Sequence, residues 1–278
     1  KSFLPRVPEY AFQRNFDRPG HSEVSRLSPY LRRRLISEEE TITSVLAQHS
    51  FSSAEKFLQE VAWRTYWKGY LAAHPQQWAA FRAAAAKLEQ ESASAPWRAT
   101  YEAAISGTTS LQCFNDWVSE LATTAYLHNH ARMWFASVWI FTLQLPWELG
   151  ALFMYRHLLD GDPASNTLSW RWVGGLHTKG KLYLARADNI AKYSDGLWTP
   201  KDSELAGSAE PLVETSIPNL EHHGAHTPLP TTQDTRGAAL LVPADDLSIE
   251  LALESLPGVS AIGMLSPRLE LGESALVR

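Results

Sequence analysis

All thirty aromatic rings of the chain (eleven Trp, nine Tyr and ten Phe) lie at or before Trp198. Aromatic side chains bury the most apolar area per residue, so this segregation says where a large core can form. Charge divides at the same place. Residues 1–200 hold 21 Lys+Arg against 18 Asp+Glu, a surplus of three bases, whereas residues 201–278 hold 4 against 12, a surplus of eight acids. The overall charge of −5 therefore describes neither part. A mildly basic, Trp-rich body is compatible with a nucleic-acid partner, but by itself it reads first as ordinary surface charge.

Within the aromatic part the apolar residues recur at helical spacing, and no period-2 run appears before residue 200. Ser37-Glu38-Glu39-Glu40 reads as a capping box with acids in the first turn. Ser52-Ser53-Ala54-Glu55 reads as another, opening a helix through about Ala73. Residues 76–91 read as an exposed helix, 111–126 and 131–145 as apolar ones, and Pro146-Trp147 as a further start. The expectation is a mainly α body of eight to ten helices over residues 1–200. Residues 201–236, rich in Pro, Thr, His and Gly, read as a linker. Residues 237–278 read as a small α/β unit, with strands near Gly237–Pro243 and Val259–Leu265 and a helix over 246–255.

Composition narrows the function classes. No stretch approaches 18 consecutive apolar residues, so no membrane partner is expected. The first residues carry no apolar segment of a secretory signal. Cys113, the single cysteine, forms neither an internal disulfide nor a Cys-based zinc site, and a cytoplasmic location follows as the expectation.

Three clusters carry chemistry. Ser25-Arg26-Leu27-Ser28-Pro29-Tyr30-Leu31 sets hydroxyls and an Arg before a helical run, which suits a phosphate, although by itself the segment reads more readily as an N-cap with a solvated Arg. His128-Asn129-His130-Ala131-Arg132-Met133 is a polar knot in an apolar region. Its histidines, two apart, do not share a helix face, so no metal is expected, and a buried Arg132 demands a partner. Asp160-Gly161-Asp162 through Trp170-Arg171-Trp172 packs carboxylates, Asn166 and two Trp into one segment. Capped turns account for the aspartates but not for Asn166 and the Trp pair. On a fourth segment, Glu60, Trp63, Arg64 and Trp67 fall on one helical stripe.

In this order and spacing the clusters resemble the photolyase/cryptochrome family, specifically its C-terminal helical FAD-binding domain, over about residues 8–198. The resemblance implies FAD as cofactor. Ser25, Arg26, Leu27 and Ser28 would hold its diphosphate with Tyr10 nearby, Val24 standing where the family commonly has Thr. Arg64, Asn129, Arg132, Asp160 and Asp162 would line the cofactor, with Arg132 pairing with Asp160. Asn166 would set an amide, free to rotate between donor and acceptor, against flavin N5. Trp170, Trp147 and Trp97 would relay electrons to the flavin, Trp97 lying about three residues off the family's spacing; Trp78, Trp117 and Trp139 read as core packing. Glu60, Trp63, Met133 and Trp172 would face an extruded DNA lesion, and the basic Arg32–Arg34 region would meet phosphates. Thr65 stands where the family often has Glu, and His130 where it often has Arg.

The family's N-terminal antenna domain has no counterpart in these residues, so no second chromophore is expected. Two functions follow from the resemblance. One is a lyase that repairs UV-damaged DNA by electron transfer from reduced FAD. The alternative is a cryptochrome-like blue-light sensor without repair, in which the acidic C-terminal segment binds a protein partner.

Overall fold

The computed structural model describes residues 2–178, 180–214, 239–243 and 261–265. A 3-10 turn, Leu4–Glu9, opens the chain. Eleven α-helices follow among the described residues: α1 (Tyr10–Gln13), α2 (Ser28–Arg32), α3 (Glu38–Leu46), α4 (Phe51–Ala73), α5 (Pro75–Glu91), α6 (Arg98–Ser106), α7 (Gln112–Thr124), α8 (Asn129–Ser137), α9 (Trp147–His157), α10 (Pro163–Val173) and α11 (Ala187–Tyr193). The sequence leads to eight to ten. The excess lies in α1 and α2, four and five residues long, too short to show a helical period.

Local chemistry accounts for the helix starts. Ser37 and Glu40 close the expected capping box of α3: the Glu40 N–H donates to Ser37 Oγ at 3.0 Å, and the Ser37 N–H to Glu40 Oε2 at 2.7 Å. The second box does not form. Ser50, two residues earlier, is extended and caps α4, its Oγ accepting from the Ser53 N–H. Helix α8 does not continue to 145 as one α-helix; it widens into a π turn over Val138–Thr142 before Pro146 caps α9.

Two apolar clusters result. The larger gathers α5 through α11 around Trp117, Trp134, Trp139 and Trp170, all at most 2% exposed. The smaller holds Val7, Val45, Ala54, Phe57, Leu58 and Val61, from the opening turn, α3 and α4. Residues 201–214 do not form the start of a linker. Leu205 is buried, the Leu212 N–H donates to Gly174 O at 2.9 Å, and the Arg171 guanidinium pairs with Glu214 at 2.7 Å. The helical body thus runs to residue 214, where Glu214 pairs with the buried guanidinium of Arg171.

Strands β1 (Ala239–Pro243) and β2 (Ala261–Leu265) pair in parallel, with Ala239 opposite Ala261 and Pro243 opposite Leu265. They fall on the two runs read as strands; the helix expected over 246–255 lies outside the described residues. Among the described residues no helix is long and apolar enough to cross a membrane.

Candidate functional site

Between the two clusters lies a cavity of about 640 Å³, within the range of small-molecule and cofactor sites. One wall comes from the smaller cluster and carries Tyr10, Leu27, Phe57, Glu60 and Val61. The other comes from α8, α9 and α10 and carries Arg132, Met133, Met154, Asn166 and Trp170. Of the residues singled out in the sequence, Ser25, Arg26, Leu27, Ser28, Trp63, Arg64, Asn129, Asp160 and Trp172 also line it.

Its polar end is incompletely satisfied. Arg132 Nη2 meets Asp160 Oδ2 at 3.0 Å, the pairing anticipated from sequence. Burial pushes the Asp160 carboxyl up, but Arg132, the Ser28 hydroxyl and Arg64 outweigh it and hold the group below the usual carboxylate range. Asp160 Oδ1 and Arg64 Nη1 are buried and have no hydrogen-bond partner. Burial draws the Arg64 pKa down against the pull of Asp162 and Asp160. Orphaned buried donors and acceptors are costly, and two of opposite polarity on one cavity fit a ligand with both anionic and donor groups.

Asp162 is not among the lining residues. Its Oδ1 accepts the Ala164 and Ser165 N–H groups, both at 2.9 Å, capping α10, while Oδ2 lies 3.4 Å from Arg32 Nε and 3.8 Å from Arg64 Nη1. It therefore sits behind the cavity wall and positions Arg64. Arg32 is buried, donating to Gly161 O at 2.8 Å, so the first of the three basic residues faces inward and is no surface phosphate ligand. Gly161 is required here, since a Cβ would come within 2.6 Å of Tyr155 O.

Asn166 is less free than the sequence implies. Its Nδ2 donates to Ala151 O at 2.9 Å, so a flip of the amide would break a buried bond. Glu60 reaches the cavity already engaged, by Arg14 and by Lys56 at 3.6 Å. Tyr126 was missed. Buried at the polar end, it lies beneath two guanidiniums, Arg26 at 5.2 Å and Arg132 at 5.5 Å. Burial pushes its hydroxyl up to about 12. A lone Tyr ahead of the His128 knot gives no sequence signal.

The rings of the larger cluster form a path. Trp170 lines the cavity with its indole N–H buried and unpartnered, and rests edge-on against Trp139 at 6.3 Å. Trp139 meets Tyr101 at 6.0 Å, and Tyr101 meets the half-buried Trp97 at 5.8 Å. Trp97 is thus joined to Trp170 through Trp139, which the sequence assigns to packing alone. Trp147 has its ring contact with Phe81, at 5.5 Å.

Residues 57–196 match the family model described as the FAD binding domain of DNA photolyase. The chain is 30% identical over 209 residues to a deoxyribodipyrimidine photo-lyase of Streptomyces griseus, covering 68% of this chain and 43% of that protein. It thus spans less than half the length of that relative. A class III photolyase structure from Agrobacterium tumefaciens superposes with a TM-score of 0.55 at 23% identity, covering 70% of this chain and 41% of the other. A cryptochrome from Synechocystis sp. PCC6803 gives 0.56 at 21%, covering 68% and 40%. At these identities the two structures speak for the fold alone.

Proposed function

The chain belongs to the DNA photolyase family and takes FAD as its cofactor, and from that premise we propose that it is a light-dependent repair flavoprotein acting on pyrimidine dimers in DNA. One observation carries the reading: a single cavity joins a polar end with unpartnered buried groups to an aromatic mouth beside a carboxylate. The polar end suits the cofactor. Ser25 to Ser28 and Arg64 would hold its diphosphate, and Asn129, Arg132 and Asp160 its remaining polar groups. Asp162 supports these from behind through Arg32 and Arg64. Bound there, FAD supplies the light-absorbing one-electron donor.

The chain's own residues do the rest. Trp63 and Trp172 offer ring faces to pyrimidines taken out of the base stack, and Met133 fills the space beside them. Glu60, one helical turn from Trp63 and fixed by Arg14, offers its carboxylate to a base edge. Trp170 passes electrons inward. It draws on Trp147, as the resemblance implies, and on the ring path through Trp139 to Trp97. Asn166 Nδ2 stays on Ala151 O, leaving its carbonyl oxygen and one N–H for the cavity.

One observation favours the sensor instead. His130, at the position where the family often has Arg, is buried. Its Nδ1 contacts Asn15 O at 2.9 Å and its Nε2 the Tyr183 hydroxyl at 3.3 Å, so it presents no charge to a DNA strand. Binding to dimer-containing and intact oligonucleotides at fixed salt separates the readings. The lyase is expected to prefer the damaged strand, and Trp63→Ala to weaken that binding roughly 5- to 150-fold while the FAD spectrum persists. Equal affinity for both strands would leave the sensor.

A further inference from the structure

Helix α4 is divided against itself. Its buried residues, Ala54, Phe57, Leu58 and Val61, all lie in the first half. The second half buries none, although Trp63, Tyr66, Trp67 and Tyr70 are there, and Trp63 and Tyr66 are 45% and 47% exposed. Exposed aromatic residues grouped this way mark a contact surface.

The rings form a continuous row. Trp63 meets Tyr66 at 5.1 Å and Trp67 at 5.5 Å, Tyr66 meets Tyr70 at 6.2 Å, and Tyr70 stacks on His74 at 4.3 Å. His177 closes on the row from a separate segment, 4.8 Å from Tyr70 and 5.0 Å from Trp67. Trp63, Tyr66, Trp67 and His177 line the cavity mouth; Tyr70 and His74 lie beyond it. From Trp63 to His74 the row extends about 16 Å at the helical rise, longer than one base pair site requires. Past Glu60, whose carboxylate Arg14 and Lys56 engage, the chain along the row has one sign. Between Val61 and Leu88 the chain contains Arg64, Lys68, Arg82 and Lys87 and not one Asp or Glu.

We propose that this row is a stacking platform for unpaired nucleotides of a single strand, continuing outward from the lesion cavity along α4. The inference rests on the reading that the substrate is DNA, and extends it to bases that carry no damage. A duplex keeps its base faces covered by its own stack, whereas a single strand offers a face at every nucleotide. Aromatic rings in basic surroundings therefore select the single strand with little regard to sequence. Backbone phosphates would meet the second half of α4, which carries no carboxylate, and binding would weaken with salt.

The test uses an undamaged, labelled oligothymidylate in the dark, followed by fluorescence anisotropy at fixed salt, against an undamaged duplex of equal length. The full chain with its FAD is expected to bind the single strand more tightly. Tyr70→Ala, outside the cavity, should weaken that binding roughly 5- to 150-fold, and Tyr70→Phe should restore it by returning the ring. Both variants should keep the flavin spectrum and the helical circular dichroism of the wild type. Equal binding of single strand and duplex, or Tyr70→Ala binding as wild type does, overturns the proposal. So does sedimentation showing that Tyr70 is needed for self-association, which would make a second copy the occupant. Because no lesion and no light enter the assay, a failure of the repair reading would appear elsewhere and leave this outcome intact.

Discussion

The two walls of the cavity are built on different principles. The wall of α8, α9 and α10 belongs to the larger cluster, where Trp134, Trp139 and Phe135 have no exposed surface and each ring is fixed by others. The wall of α2 and α4 rests on a cluster of six buried residues and is joined across the gap by polar links, Arg32 to Gly161 and Asp162, and Arg64 to Asp162. Dense packing tolerates no shift, which suits the wall that carries Trp170 and Asn166. A thin wall held by ion pairs depends on every charge keeping its partner, which suits the side that must receive a ligand.

The largest effect should come from cutting that polar link. Asp162→Ala strips the α10 cap and leaves Arg32, about 5% exposed, beside a missing charge. Losing one partner of a buried pair costs about 3–5 kcal/mol. The urea midpoint of unfolding should fall accordingly, and a loss below about 1 kcal/mol, the worth of a cap alone, would show that the thin wall stands without it.

A smaller effect is expected inside the dense wall. A Cβ at Gly150 would come within 2.7 Å of Trp170 Cζ3 and 2.8 Å of Trp139 Cδ2. Overpacking of this kind costs about 1–3 kcal/mol, so Gly150→Ala should lower the melting temperature and shift the near-ultraviolet circular dichroism of the tryptophans. An unchanged spectrum would mean that this wall yields more easily than its packing implies.

The ring path can be separated from packing by substitutions that keep an aromatic ring. Trp170→Phe should fold normally and lose most photoreduction under blue light with an external thiol. Trp139→Phe should slow it as well, since it removes the easily oxidised indole between Trp170 and Tyr101. A full rate in Trp139→Phe, with loss in Trp147→Phe, would return the relay to the route implied by the sequence.

A further effect concerns pH and the edge of the polar end. His21 Nδ1 lies 3.0 Å from Asp17 Oδ1 and its Nε2 2.6 Å from Glu120 Oε1. Burial would lower its pKa, but the two carboxylates outweigh burial and raise it from 6.5 to about 9. Folding therefore favours the protonated ring, and this contribution is complete below about pH 6.5 and lost as pH rises through about 9. His128, stacked on it at 6.0 Å, behaves oppositely. Burial first, then the charges of His21, His130 and Arg132, bring it down to about 3, so below pH 6.5 protonation favours the unfolded chain. Melting temperature should thus peak near pH 6.5 as far as these two groups decide it. His21→Gln should flatten the alkaline limb and, by removing one charge that holds His128 down, soften the acid one to a lesser degree; a wild-type alkaline limb in that variant would exclude the clamp.

The sequence made the helical body legible because long amphipathic helices announce their period, and it made the polar end legible because a charged Arg132 in an apolar run requires an acid. The role of Asp162 is not legible from sequence, for a physical reason. A carboxylate one residue before Pro163 can cap a helix or face a ligand, and only the fold, by bringing Arg32 and Arg64 behind it, decides. Trp139 was read as packing because a tryptophan in a core and one in a ring path occupy the same helical stripe. The extension of the row from Trp67 to Tyr70 and His74 is not legible in the sequence, because only the fold shows that the second half of α4 stays unburied.

The most direct test of the account is light-dependent repair itself. Purified protein with reduced FAD is mixed with a thymine-dimer oligonucleotide, and the return of thymine absorbance is followed under blue light and in the dark. The account predicts recovery in the light alone, lowered in Glu60→Gln by more than its binding affinity falls. No recovery in the light, from protein carrying one FAD per chain, would contradict it.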